Sequence, residues 1–92
     1  MQKCYAIIRS SGIYESKDGK TKAPYDNYIF YLSSGGRYFS NEQLIKGEGK
    51  PTEVKIKKID YDRVCDQPIE TLFGKELHFW SENGELSRIE IK

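Results

Sequence analysis

A chain of 92 residues, 37% hydrophobic and 32% charged, has the size and composition of one domain, residues 1–92, with a single modest core. No apolar run reaches about 18 residues, which excludes a membrane-spanning helix. The start MQKCYAIIRSSG is too poor in apolar residues for a secretory signal, so a cytoplasmic protein is expected. Formal net charge is +1 but unevenly spread: residues 1–63 carry twelve Lys/Arg against eight Asp/Glu, residues 64–92 three against six. The basic part is the candidate for an anionic partner. Two cysteines, Cys4 and Cys65, and one histidine supply neither a disulfide framework nor a zinc ligand set, so reduced, buried thiols and no metal or cofactor are expected.

Lys3 to Arg9 reads as a first strand, with Cys4, Ala6 and Ile8 on one face and Tyr5, Ile7 and Arg9 on the other. Gly12 marks a bend. Asp18-Gly19 then predicts a type I′ hairpin turn, and counting back from it pairs Glu15 with Lys22, Ile8 with Ile29 and Ile7 with Phe30. Apolar residues meet apolar ones far from the turn, which supports one long hairpin. The same count sets Lys17 opposite Lys20 at the tip, beside Lys22.

Lys22 to Ser40 holds six of the twelve aromatic residues, and the run Tyr28 to Leu32 is apolar on both faces, as in a central strand. Ser33 to Gly36 predicts a turn. Arg37 to Phe39 follows as a short extended piece. Ser40-Asn41-Glu42-Gln43 matches a capping box, so Asn41 to Lys46 is expected as a short helix stopped by Gly47, Gly49 and Pro51. Thr52 to Val64 is expected as a third strand burying Val54, Ile56, Ile59 and Tyr61. Those pairs have opposite parity, so a bulge near Lys57-Lys58 is required. Asp66-Gln67-Pro68 before Ile69 to Phe73 and Gly74 predicts one or two helical turns. In the closing hairpin, a three-residue loop of Glu82, Asn83 and Gly84 pairs Leu77 with Ile89 and Lys75 with Ile91. Leu77, Phe79, Ile89 and Ile91 then line the core, and His78, Trp80, Leu86 and Arg88 share the other face.

Five or six antiparallel strands with one or two short helices predict a mainly β domain, a small closed or partly closed barrel. In length and element order it is similar to OB domains, with an SH3-like barrel or a strongly bent open sheet as alternatives. Single-stranded nucleic acid is held by rings that stack on bases and by cations that neutralise phosphates. The residues that mix these properties are Arg9, Lys17, Lys20, Lys22, Tyr25, Tyr28, Tyr31, Arg37, Tyr38, His78, Trp80 and Arg88. Phe30, Phe39, Phe73 and Phe79 are assigned to the core. His78 lies two residues from Glu76 but beside no nucleophile, so a non-enzymatic binding domain is expected. A protein-interaction module using Tyr25, Tyr31, Tyr38 and Trp80 is the alternative, and an edge strand offers a route to a homodimer.

Overall fold

In the computed structural model, which describes residues 3–33, 35–47 and 49–92, the run Tyr28 to Leu32 is central as its sequence requires. It ends β2 (Lys22–Leu32), flanked on one side by β1 (Cys4–Glu15) and on the other by β5 (Thr52–Lys57), all antiparallel. The remaining strands are β3 (Arg37–Ser40), β4 (Gln43–Lys46), β6 (Leu77–Glu82) and β7 (Glu85–Ile91). They form a second sheet in the order β4-β3-β6-β7, with β3 parallel to β6. Phe30 of the first sheet meets Phe79 of the second with ring centroids 5.0 Å apart, and both are fully buried. Around them lie Cys4, Leu32, Val54 and Ile56 from one sheet and Leu77 and Leu86 from the other. The architecture is mainly β and two-sheeted. Among the described residues no ladder joins the sheets, so seven strands replace the five or six anticipated and the closed barrel is not among the pairings.

The register of the first hairpin is the one counted from sequence: Glu15↔Lys22, Ile8↔Ile29 and Ile7↔Phe30. Its turn differs. Ser16 N–H donates to the Thr21 carbonyl and Gly19 N–H to the Ser16 carbonyl, giving a four-residue loop in which Gly19 (φ +73°) but not Asp18 is left-handed. A four-residue loop leaves the pairing sum unchanged, so the count survives a different turn. The ladder runs through Gly12 with no bulge. Tyr25, its cross-strand partner, lies over it, so that a Cβ there would meet Tyr25 Oη at 2.8 Å. The irregularity in β1 falls instead at Tyr5, between Cys4 and Ala6.

Three other expectations are corrected. Asn41 and Glu42 take φ of +48° and +67°, so they form a hairpin turn closed by Ser40↔Gln43, and the expected short helix is strand β4. Thr52 to Val64 is a strand only to Lys57; Lys58–Val64 is helix α1. The clash of parities is thereby resolved by a change of period. Tyr61, Val64 and Cys65, spaced three and four apart, face the core, while Ile59 is 74% exposed. The closing hairpin turns on Asn83-Gly84 alone, both left-handed (φ +52° and +82°). A bulge that leaves Ser87 unpaired then sets Phe79↔Ile89 and Leu77↔Ile91, in place of the expected Leu77 with Ile89 and Lys75 with Ile91. This bulge also turns Leu86 into the core, opposite Ser81, rather than onto the Trp80 face. The helical turn after Pro68 is present as a 3₁₀ helix, Ile69–Leu72, which buries Leu72. The turn expected over residues 33–36 includes Ser34, which lies outside the described residues.

Tyr61 closes one end of the core and donates its hydroxyl to the Gln67 carbonyl at 2.6 Å. Burial, reinforced by the neighbouring Cys65, pushes its phenol well above its ordinary value. The unfolded chain ionises a tyrosine at about pH 10. The folded chain does not, so stability contributed by neutral Tyr61 is present below that pH and lost as pH rises above it. Tyr61→Phe is expected to cost about 0.5–1.5 kcal/mol at neutral pH through the lost hydrogen bond. It should also flatten the fall in denaturation midpoint above about pH 10. An unchanged alkaline slope in that variant would contradict the assignment.

Candidate nucleic-acid interface

Strand alternation and register assign each side chain of the first sheet to a face. Ile7, Tyr28, Phe30, Val54 and Ile56 face the core. The opposite face is open to solvent and carries Tyr5, Ile8 and Tyr14 from β1, Tyr25, Ile29 and Tyr31 from β2, and Lys55 and Lys57 from β5. Tyr5, Tyr14 and Tyr25 are 47%, 59% and 41% exposed. Tyr5 leans on Tyr31, with ring centroids 6.3 Å apart. Beyond Asn27↔Lys57 the strand β5 stops while the hairpin continues to Glu15↔Lys22, so the two-stranded arm projects past the core and lengthens the molecule to 45 Å. Where β5 ends, Tyr25, Asn27, Lys57 and Ile59 border a groove of about 360 Å³. Among the described residues neither Lys55 nor Lys57 is paired with a carboxylate. Glu53 is the acidic residue sharing their face.

The outer face of the second sheet is built differently. Leu44, Phe39, Trp80 and Arg88 stand in one cross-strand row. Phe39 stacks on Trp80 at 4.7 Å and 9°, and the Arg88 guanidinium lies 4.0 Å from the indole centroid. These neighbours come from strands on opposite sides of β6, so both faces of the indole are already covered. A base stacking on Trp80 has to displace one of them. Arg37 and His78 belong to this face as well, as does Glu90. His78 Nε2 lies 3.1 Å from the Gly35 carbonyl and 3.6 Å from Glu76. A carbonyl only accepts, so Nε2 carries the proton in that bond, and the imidazole anchors the loop before β3.

The twelve residues singled out in the sequence therefore do not form one wall. Tyr25 and Tyr31 share the open face of the first sheet, with Lys17 and Lys20 at the arm's tip. Arg9 and Lys22 are on the other face of the arm, where Arg9 holds Asp26 through two hydrogen bonds of 2.9 and 2.7 Å. That bond keeps the Asp26 carboxyl below its usual range. Tyr28 and Tyr38 turn inward: Tyr28 packs edge-on against Tyr61, and Tyr38 shares a 2.8 Å hydrogen bond with Ser81. Arg37, His78, Trp80 and Arg88 lie across the molecule on the second sheet. Of the phenylalanines assigned to the core, Phe39 is on the outer face and Phe73 is 46% exposed. Sequence reasoning missed Tyr5, Tyr14, Lys55 and Lys57. The two lysines alternate with Val54 and Ile56, and that alternation was the available signal.

Both cysteines are free, Cys4 buried and Cys65 half-buried. Burial raises the Cys4 thiol above its ordinary value. Among the described residues no cluster of His, Cys, Asp and Glu is arranged to hold a metal, and no helix is long and apolar enough to cross a membrane. No family model matches the chain. No curated protein and no solved structure matches it.

Proposed function

We propose that the chain is a non-enzymatic binding domain for single-stranded nucleic acid and that the open face of the β1-β2-β5 sheet is its platform. One observation carries this reading: four tyrosines, three of them exposed, share a sheet face with Lys55 and Lys57, neither of which pairs with a carboxylate among the described residues. Stacking is sequence-tolerant because every base has a π-face, so binding has little sequence preference. Charge favours the same side. The strands of this sheet come from the basic part of the chain, whereas β6 and β7, with Glu82, Glu85 and Glu90, come from the acidic part. The mode of binding is that of an OB-like platform, and an OB-like barrel belongs to the proposal on those terms.

The test is an anisotropy titration of labelled oligo-dT across a salt series. Binding at low salt should weaken linearly in log–log form. Lys55→Gln/Lys57→Gln should lower the slope by about 1.4, since each phosphate contact to a single strand contributes about 0.7. No binding at low salt would dispose of the reading. A second reading, a recruiting or inhibitory protein-interaction module, is favoured by the exposed Ile8 (49%) and Ile13 (71%) along the arm. Capture of a protein partner with little dependence on salt would favour it over nucleic acid.

A further inference from the structure

Among the described residues the two sheets end in four edge strands, and three of these carry protection against pairing with another chain. The edge of β4 is four residues long and ends in Lys46; β7 bears Glu85, Arg88 and Glu90. The β5 edge is six residues with Lys55 and Lys57, and the Lys46 ammonium already donates to its Glu53 carbonyl at 3.2 Å. β1 differs. It is twelve residues long, lies at the end of its sheet, and contains neither lysine nor proline; its charges are Arg9 and Glu15, and its bulge sits at the Tyr5 end, which leaves Ile7 to Glu15 regular. Gly74 N–H closes the edge at the Cys4 carbonyl only.

The hydrogen-bond phase of this edge follows from the hairpin. Ser16 and Thr21 form a hydrogen-bonded rung, so alternate rungs at Tyr14, Gly12, Ser10 and Ile8 are bonded to β2. Ile7, Arg9, Ser11, Ile13 and Glu15 therefore direct their N–H and C=O groups away from β2, to the outer edge of the sheet. Pro24 fits the same phase, because it stands opposite Ile13 on a rung where β2 needs no N–H for β1.

We propose that β1 pairs antiparallel with β1 of a second copy, the two-fold axis passing between the two Ser10 residues. Among registers of this phase, this one sets Ile13 opposite Ile7 twice and Arg9 opposite Ser11 twice, and uses the strand nearly end to end. Ile13, 71% exposed in a single chain, gains an apolar partner next to the core, while Ile8, 49% exposed, comes opposite Gly12 beneath the Tyr25 ring. Centring the pair on Arg9 instead would set two guanidinium groups opposite one another. The result is a continuous six-stranded sheet, β5-β2-β1-β1-β2-β5. The pairing does not depend on what the outer face binds.

Sedimentation equilibrium of the whole chain over a range of concentrations gives the first readout, with twice the single-chain mass expected. Ile13→Lys, at a site too exposed to matter for folding, should return the single-chain mass. Ser10→Cys supplies an independent readout. In this register the two positions form a non-hydrogen-bonded pair with Cα atoms about 4.5 Å apart, within disulfide reach. Mild oxidation should therefore link the two introduced thiols, identified by peptide mapping apart from Cys4 and Cys65. A single-chain mass for the unaltered protein at every concentration would overturn the proposal. So would a dimer that survives Ile13→Lys or leaves the introduced thiols unlinked.

Discussion

Phe30→Ala is expected to remove about 3–5 kcal/mol of folding stability, the range for deleting a fully buried phenylalanine. Phe30 is 0% exposed and is where three elements meet: Phe79 from the second sheet at 5.0 Å, Tyr61 from α1 at 6.4 Å and Tyr28 from its own strand at 6.4 Å. Removing the ring leaves a cavity bounded by both sheets, and neither can close it without breaking its own ladder. A domain of this length loses about 4–8 °C of Tm per kcal/mol. The variant should therefore be largely unfolded at temperatures where the parent is native. Ile59→Ala is the matched control. Had residues 52–64 formed one strand, Ile59 would be core and its loss would cost about 2–5 kcal/mol. At 74% exposure on α1 it should cost no more than about 0.5 kcal/mol. Denaturant midpoints for the two variants measure both quantities, and equal losses would contradict the strand-to-helix change at Lys57.

The second large effect concerns binding. Tyr25 and Tyr31 stand six residues apart on one face of β2, at about 3.4 Å per residue, so a single strand lying along β2 passes over both. Each stacked base contributes about 1–3 kcal/mol by alanine substitution. Tyr25→Ala/Tyr31→Ala should therefore weaken oligo-dT binding by at least about 30-fold, using a tenfold change per 1.4 kcal/mol. Trp80→Ala should leave affinity nearly unchanged, because the indole is sandwiched by Phe39 and Arg88 on the far sheet. Circular dichroism of each variant separates lost binding from lost fold. The reverse result, with Trp80 decisive and the tyrosines silent, would move the interface to the second sheet.

What could be read from the sequence followed a physical pattern. The first hairpin was legible because two constraints agreed: the turn residues fixed a pairing sum, and the sum set Ile7 against Phe30 and Ile8 against Ile29. Residues 52–64 were not, because Val54, Ile56, Ile59 and Tyr61 fit a strand with one bulge as readily as a strand followed by a helix. Only packing against β2 and β7 decides between them. In the last hairpin the loop choice was wrong although most of the core set was right. The bulge at Ser87 and the longer loop shift the register in opposite directions, so Leu77 faces Ile91 rather than Ile89. A difference of two residues keeps Leu77, Phe79, Ile89 and Ile91 on the core face, while Leu86 changes sides. The interface suffered most, because its members are set by which face of which sheet each strand presents. Tyr38 and Phe39 are adjacent in sequence, and on sequence alone tyrosine is the better surface residue. The parallel pairing of β3 with β6 turns them the opposite way, Tyr38 inward beside Phe79 and Phe39 outward onto Trp80.

Amide chemical-shift mapping during titration with oligo-dT tests the binding platform most directly. The shifts should concentrate on Tyr5, Ile8 and Tyr14 of β1, Tyr25, Ile29 and Tyr31 of β2, and Lys55 and Lys57 of β5, leaving β6 and β7 unmoved. Shifts centred on Trp80 and Arg88, or no shifts at low salt, would contradict it.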